Sequence, residues 1–248
     1  MSTFELLPAI DLRAGRVVRL RQGDFARETA YGDDPVEVGR AFAAAGAPWL
    51  HVVDLDGARE GRPRHLETAR AIGEAARATT RGATRCELAG GLRSAAAVEE
   101  ALTAGLDRVV LGTAALRDPS LVRRLVERYG PARLAVAIDV RGGRALGDAW
   151  REGRPGPRAE DAIRTLADLG IVTFEVTAIE RDGQLTGPDL DLLGRLVELG
   201  RGAIVASGGI ASLDDLRAIR ALGCSGAIVG RALYEGRLDL RAALAALA

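Results

Sequence analysis

The strongest constraint on this chain is an internal echo. Ile10-Asp11-Leu12-Arg13-Ala14-Gly15-Arg16 returns 128 positions later as Ile138-Asp139-Val140-Arg141-Gly142-Gly143-Arg144. Gly90-Gly91 returns 118 positions later as Gly208-Gly209, and Gly112 returns at the same spacing as Gly230. The same features recur in the same order, which is how a chain of two equivalent halves reads. Around them, short apolar runs alternate with longer amphipathic ones. The short runs predict strands near residues 6–10, 50–55, 86–89, 108–111, 134–138, 173–178, 203–206 and 227–229. Their near-continuous apolar character suits strands buried on both faces of a parallel sheet. The longer runs predict helices near 35–45, 66–78, 95–104, 119–129, 160–169, 190–199, 213–222 and 240–247. Ser212 and Asp215 form a Ser-x-x-Asp start for one of them, and Gly170, Gly200 and Gly223 fall where helices should stop. Such alternation fits either an open doubly wound sheet or a closed barrel. The repeat decides for an α/β (βα)8 TIM barrel, one domain over residues 1–248, built from two half-barrels.

Composition narrows the chemistry. The chain has 248 residues, about the usual size of such a barrel, with 34 basic and 34 acidic side chains. It contains no lysine, so every basic side chain is arginine. A Schiff-base lysine, a pyridoxal-anchoring lysine and a Walker-A lysine are therefore excluded. The balanced charge argues against nucleic acid or an anionic membrane as the main partner. No apolar run reaches the ~18 residues of a membrane span. Cys86 and Cys224 make no metal-ligand pattern, and no signal peptide is read. The expectation is a cytoplasmic monomer with both thiols reduced.

The glycine pairs are the first motif. Gly90-Gly91 and Gly208-Gly209 each follow a strand and precede a helix, where backbone N–H groups can approach an anion without a Cβ in the way. Gly112-Thr113 and Gly230-Arg231 follow the next strand in each half. The later site matches the recurrent phosphate site of barrels, and here it is duplicated. Two such sites across one mouth imply a small substrate with a phosphate at each end; alternatively, the glycines only relieve tight turns. Arg19, Arg93 and Arg231 are the cations available to support phosphates.

Carboxylates are the second. Asp11 and Asp139 end matched strands and should face each other across the mouth. Asp182 lies in the loop after the sixth expected strand. Carboxylates around one substrate can divide general-acid and general-base roles. Asp54 and Asp56 read as helix caps or arginine partners. Trp150, in a long Gly- and Arg-rich loop, either stacks on a planar ring or anchors the loop. Thr177 either donates a hydrogen bond or is only a β-branched strand residue. His51 and His65 lack metal-ligand spacing and read as structural. Gly-x-Gly-x-x-Gly is absent, and the expectation is acid–base chemistry with no metal and no cofactor.

At this point the ordered set of motifs resembles a known family. Leu7-Pro8-Ala9-Ile10-Asp11-Leu12 with Gly15-Arg16-Val17-Val18-Arg19-Leu20 is similar to the amino terminus of the phosphoribosylformimino-5-aminoimidazole carboxamide ribotide isomerases of histidine biosynthesis. Val53-Asp54-Leu55-Asp56-Gly57-Ala58, Gly90-Gly91-Leu92-Arg93, Arg181-Asp182-Gly183, Ser207-Gly208-Gly209-Ile210 and Ile228-Val229-Gly230-Arg231-Ala232-Leu233 continue the match over essentially the whole chain. The resemblance implies a cofactor-free Amadori conversion of an aminoaldose to an aminoketose. It implies Asp11 as the base at ribose C2, Asp139 or Asp182 as the acid, Thr177 assisting near the ring and Trp150 stacking on the substrate base. Relatives differ in their loops. The isomerase that also serves tryptophan synthesis often carries arginine two positions before the loop tryptophan, where this chain has Asp148. The cyclase subunit of imidazole glycerol phosphate synthase usually begins Pro-Cys-Leu-Asp, unlike Pro8-Ala9-Ile10-Asp11. A barrel that binds such ligands without turnover is the competing reading from another class. Ala89, His65 and Ala178 depart from residues common in the family and touch only the surroundings of the site.

Overall fold

The structure is a computed structural model, and it describes residues 4–22, 24–147 and 156–247. Its strands are β1 (Glu5–Arg13), β2 (Arg16–Arg21), β3 (Asp24–Gly32), β4 (Trp49–Asp54), β5 (Arg85–Ala89), β6 (Arg108–Leu111), β7 (Leu134–Arg141), β8 (Arg144–Leu146), β9 (Thr173–Ala178), β10 (Ala203–Ser207) and β11 (Gly226–Val229). Eight of them run parallel in the order β1, β4, β5, β6, β7, β9, β10, β11. The ring closes where β11 pairs with β1, from Glu5 opposite Gly226 to Pro8 opposite Val229. The chain is therefore a (βα)8 TIM barrel.

The helices are α1 (Pro35–Ala44), α2 (Leu55–Glu60), α3 (Leu66–Thr80), α4 (Ala95–Thr103), α5 (Thr113–Arg117), α6 (Pro119–Tyr129), α7 (Ala159–Asp168), α8 (Leu190–Glu198), α9 (Leu213–Ala221), α10 (Arg231–Tyr234) and α11 (Leu240–Leu247). Local chemistry sets their starts. Asp34 accepts from the amides of Val36 and Glu37 ahead of Pro35, which needs no N–H partner. Ser212 and Asp215 make a reciprocal capping box at α9. Each long helix buries one stripe, such as Leu121, Val122 and Leu125 on α6. Among the described residues no helix is long and apolar enough to cross a membrane.

Strand alternation sorts side chains into two layers. On β1, Leu6, Ile10 and Leu12 join the large core between sheet and helices. Leu7 and Ala9 join a small interior cluster with Trp49, Val205 and Ile228. Asp11 follows Leu7 and Ala9 at period two, and so faces the barrel mouth.

The barrel strands cover the runs expected from sequence, with small shifts at their ends. The remaining strands were not expected. β2 and β3 extend β1 as an antiparallel flap, and β8 folds back on β7. Most of β3 is exposed or half-buried, so it has no apolar signature to read. The two hairpins pair alike. Asp11 sits opposite Val18 and Arg13 opposite Arg16; Asp139 sits opposite Leu146 and Arg141 opposite Arg144.

The closing seam is tight. A Cβ on Gly226 would lie 2.5 Å from the carbonyl oxygen of Glu5, which the strand pairing holds in place. Gly226→Ala is expected to destabilise the fold by about 1–3 kcal/mol, the usual cost of overpacking. Urea unfolding checks it, with an unchanged midpoint as the contrary result.

Candidate active site

A cavity of about 280 Å³ opens at the carboxyl ends of the barrel strands. It is lined by Asp11, Asp139, Asp182 and Thr177, by both glycine pairs, and by Arg19, Thr113, Gly230 and Arg231. Thus the structure brings together every described residue named from sequence as catalytic or substrate-binding. Trp150 and Asp148 lie outside the described residues. Strand register explains the convergence. Asp11 lies between Val18 and Val53, and Asp139 between Leu146 and Thr177, with Ser207 next to Thr177 on β10.

One guanidinium organises the acidic cluster. Arg19, carried by β2, places Nη1 2.6 Å from Oδ1 of Asp11. Both side chains are largely shielded, at 15% and 12% exposure. Burial alone would lower the Arg19 pKa, but Asp11, Tyr234 and Asp182 outweigh it and raise it. Arg19 is therefore a fixed positive charge. Asp182 behaves oppositely. Burial pushes its carboxyl up to about 6; Arg19 and the Gly183 amide pull it down, while Asp11 and Asp139 repel the charged form. The loop holding Asp182 is pinned by its own turn and by Gln22. The Asp182 amide donates to Ala178, while Gln22 donates its backbone N–H to Asp182 and its side-chain amide to Glu180.

Both glycine pairs have positive φ: +98° and +77° at Gly90 and Gly91, +91° and +83° at Gly208 and Gly209. A Cβ on Gly91 would strike the Arg62 backbone, and one on Gly208 would lie 2.9 Å from the Ala178 oxygen. These residues satisfy the tight-turn demand and face the cavity as well. α4 and α9 begin just beyond them, capped by Ser94 and Ser212. The arginines divide. Arg93 donates to the Ala58 carbonyl, and Arg231 binds Glu235 and the Gly183 carbonyl, each at 2.5 Å for Arg231. Arg231 reaches the cavity already tethered. Asp54 is the helix cap expected of it, accepting from Gly57, Arg64 and His65. Asp56 accepts from the Ala14 amide and from His65 Nε2 at 2.8 Å.

The cavity floor holds a network that the sequence reading missed. His51 Nδ1 lies 2.6 Å from Glu87 and 3.6 Å from Glu175, and Arg108 Nε lies 2.6 Å from the other Glu87 oxygen. All four are buried. Adjacent registers on β4, β5 and β6 bring His51, Glu87 and Arg108 side by side. Against the cost of burial, Arg108 and His51 hold Glu87 charged. Burial and the Glu87 charge push Glu175 up to about 8, which favours its protonated form. One Glu175 oxygen and one Arg108 nitrogen have no hydrogen-bond partner among the described atoms. Ligand atoms of His51, Glu87 and Glu175 lie within 4.8 Å of one another, a spacing a metal ion accepts. Arg108 already occupies Glu87 with positive charge, which opposes a second cation there. Both cysteines are buried and free.

Comparison with known proteins places this geometry. Residues 5–239 match the family described as histidine biosynthesis protein. The chain belongs to this family. A relative from Roseiflexus sp. (strain RS-1) is 49% identical over 98% of this chain and 100% of its own. One from Rhodospirillum rubrum is 46% identical over 98% and 99%. One from Halothermothrix orenii is 41% identical over 96% and 97%. All three are named 1-(5-phosphoribosyl)-5-((5-phosphoribosylamino)methylideneamino) imidazole-4-carboxamide isomerase. The resemblance read from the motifs is thereby borne out over nearly the full chain.

The floor network makes an asymmetric prediction about two glutamates. Glu87→Gln strands Arg108 and should cost about 3–5 kcal/mol. Glu175→Gln replaces a group that burial and the Glu87 charge already push toward its neutral form, and should cost far less. Paired chemical denaturation curves measure the difference, and equal losses contradict the assigned charges.

Proposed function

We propose that this chain catalyses the Amadori isomerisation named for its relatives, turning the N-linked phosphoribosyl aminoaldose into its aminoketose. The observation that carries the reading is the convergence of Asp11, Asp139 and Asp182 at one mouth, between two glycine pairs suited to phosphates. The relatives' name describes a substrate with two phosphoribosyl groups, which fits a site with two anion-binding edges.

Each step balances on groups of the chain and substrate. Asp182 supplies a proton to the ribose ring oxygen as the C1–O bond breaks. The lone pair of the substrate's own nitrogen forms the C1=N double bond, so no lysine is required. Asp11 then removes the proton from C2. The C2–H electrons form the C1=C2 bond, and the C=N electrons return to nitrogen. Tautomerisation of the enaminol to the C2 ketone, with a proton arriving at C1, completes an isomerisation with no net redox change. Asp182 is taken as the acid because burial, with Asp11 and Asp139 nearby, raises its carboxyl to about 6, which leaves a protonated fraction as neutral pH is approached. Asp139, beside Thr177 in register, supports the ring from the opposite strand.

Steady-state kinetics tests the proposal. Turnover is expected with the histidine-pathway aminoaldose, and little with phosphoribosyl anthranilate. Saturable binding without product would identify a binder, and comparable turnover of both would identify a dual-substrate enzyme. Asp11→Asn should bind substrate normally and lose about 10²–10⁴-fold in turnover; near-normal activity would sink its role as base.

The pH profile addresses the acid. Protonated Asp182 becomes scarcer above pH 6, so kcat/KM should decline as pH rises through about 6. Asp182→Asn should remove that limb along with most of the rate. Its persistence in the variant would transfer the role to Asp139.

A further inference from the structure

Gly230 serves a purpose that its repeat partner does not. A Cβ built on Gly230 would fall directly on the guanidinium of Arg19. At Gly112, the matched position 118 residues earlier, a Cβ would meet nothing within 4 Å among the described residues. The backbones are alike, with φ of −113° and −99°. The difference therefore lies in what stands over each glycine.

Two other contacts fix the same guanidinium. Asp11 holds it at 2.6 Å, and the Tyr234 ring lies 5.8 Å from its central carbon. Tyr234 is itself held in place, donating its hydroxyl to the Ala9 carbonyl at 2.9 Å. It also packs against Tyr31 of the flap, with ring centroids 4.9 Å apart, and against Phe42 at 5.7 Å. The guanidinium thus rests on a glycine floor with an aromatic wall. The corresponding residue of the second hairpin, 128 positions beyond Arg19, is Gly147. A Cβ there would crowd the Thr113 methyl at 3.1 Å.

We propose that Gly230 and Tyr234 form a seat that fixes Arg19 on Asp11, making Arg19 the positioning residue that orients Asp11 as the base. A guanidinium on Oδ1 limits rotation of the carboxylate and presents Oδ2 in one direction, the kind of preorganisation on which proton abstraction depends. Gly230 acts through Arg19 rather than only as an anion-binding glycine. The inference rests on the reading of Asp11 as base.

A double-mutant cycle on the full chain tests it, using Gly230→Ala, Arg19→Gln and the pair, with Gly112→Ala for comparison. Gly230→Ala displaces the guanidinium and should lower kcat about 10- to 100-fold with little change in KM. Arg19→Gln in the Gly230→Ala background should add little further loss, because both remove one contact. Gly112→Ala should act mainly on KM. Multiplying losses from Gly230 and Arg19, or a Gly230→Ala effect confined to KM as in Gly112→Ala, would overturn the seat. Urea midpoints for all variants separate unfolding from displacement; a Gly230→Ala chain that folds normally and turns over normally also overturns it. Normal turnover by Asp11→Asn, with Gly230 and Arg19 still coupled, would instead overturn the base and leave the seat standing.

Discussion

The parallel pairing of β11 with β1 is the constraint on which the rest depends. An open sheet would leave its edge strands with unpaired backbone groups, and its first and last strand ends far apart. Parallel strands closed into a ring put all eight carboxyl ends on one rim, so residues distant in sequence meet there. Asp11, Asp139, Thr177, Ser207 and Gly230 share a cavity only because the ring closes. The seam in turn is tight at Gly226, where a Cβ would crowd the Glu5 carbonyl.

Within that rim, charge is arranged by differences between near-identical parts. Asp11 and Asp139 occupy matched registers in matched hairpins. Arg19 breaks the equivalence by reaching Asp11. Asp182, brought over the mouth by the loop after β9, is the carboxylate that burial and its neighbours push toward neutrality. A carboxyl raised toward its protonated form among further carboxylates is an arrangement suited to proton donation and abstraction on one sugar. The floor repeats the principle at greater depth, where Arg108 and His51 favour the charged form of Glu87, and burial beside Glu87 favours the protonated form of Glu175. The absence of lysine matters little in such a site. Arginine keeps its charge when buried, and the Schiff base of the proposed reaction forms on the substrate's own nitrogen.

What could be read in advance follows from the range of each interaction. Strand and helix runs were legible because they depend on local apolar periodicity and capping, as Asp34 and Ser212 show. The glycine pairs and the three aspartates were legible because their spacing repeats or matches the family. β3 was not, since its largely exposed residues carry no period. The floor network was not legible either. His51, Glu87, Arg108 and Glu175 sit on four strands, and each looks like an isolated polar residue in an apolar run.

The sequence by itself therefore determined the barrel, its family and the residues at its mouth. Hydrophobic periodicity and short motifs act over a few residues, and these properties are sums of such local signals. The tertiary structure alone decided which aspartate meets Arg19, how closely that guanidinium rests on Gly230, and which buried glutamate is pushed toward its protonated form. Those outcomes turn on distances of a few ångströms between strands far apart in the chain, and on the low dielectric that burial creates around them.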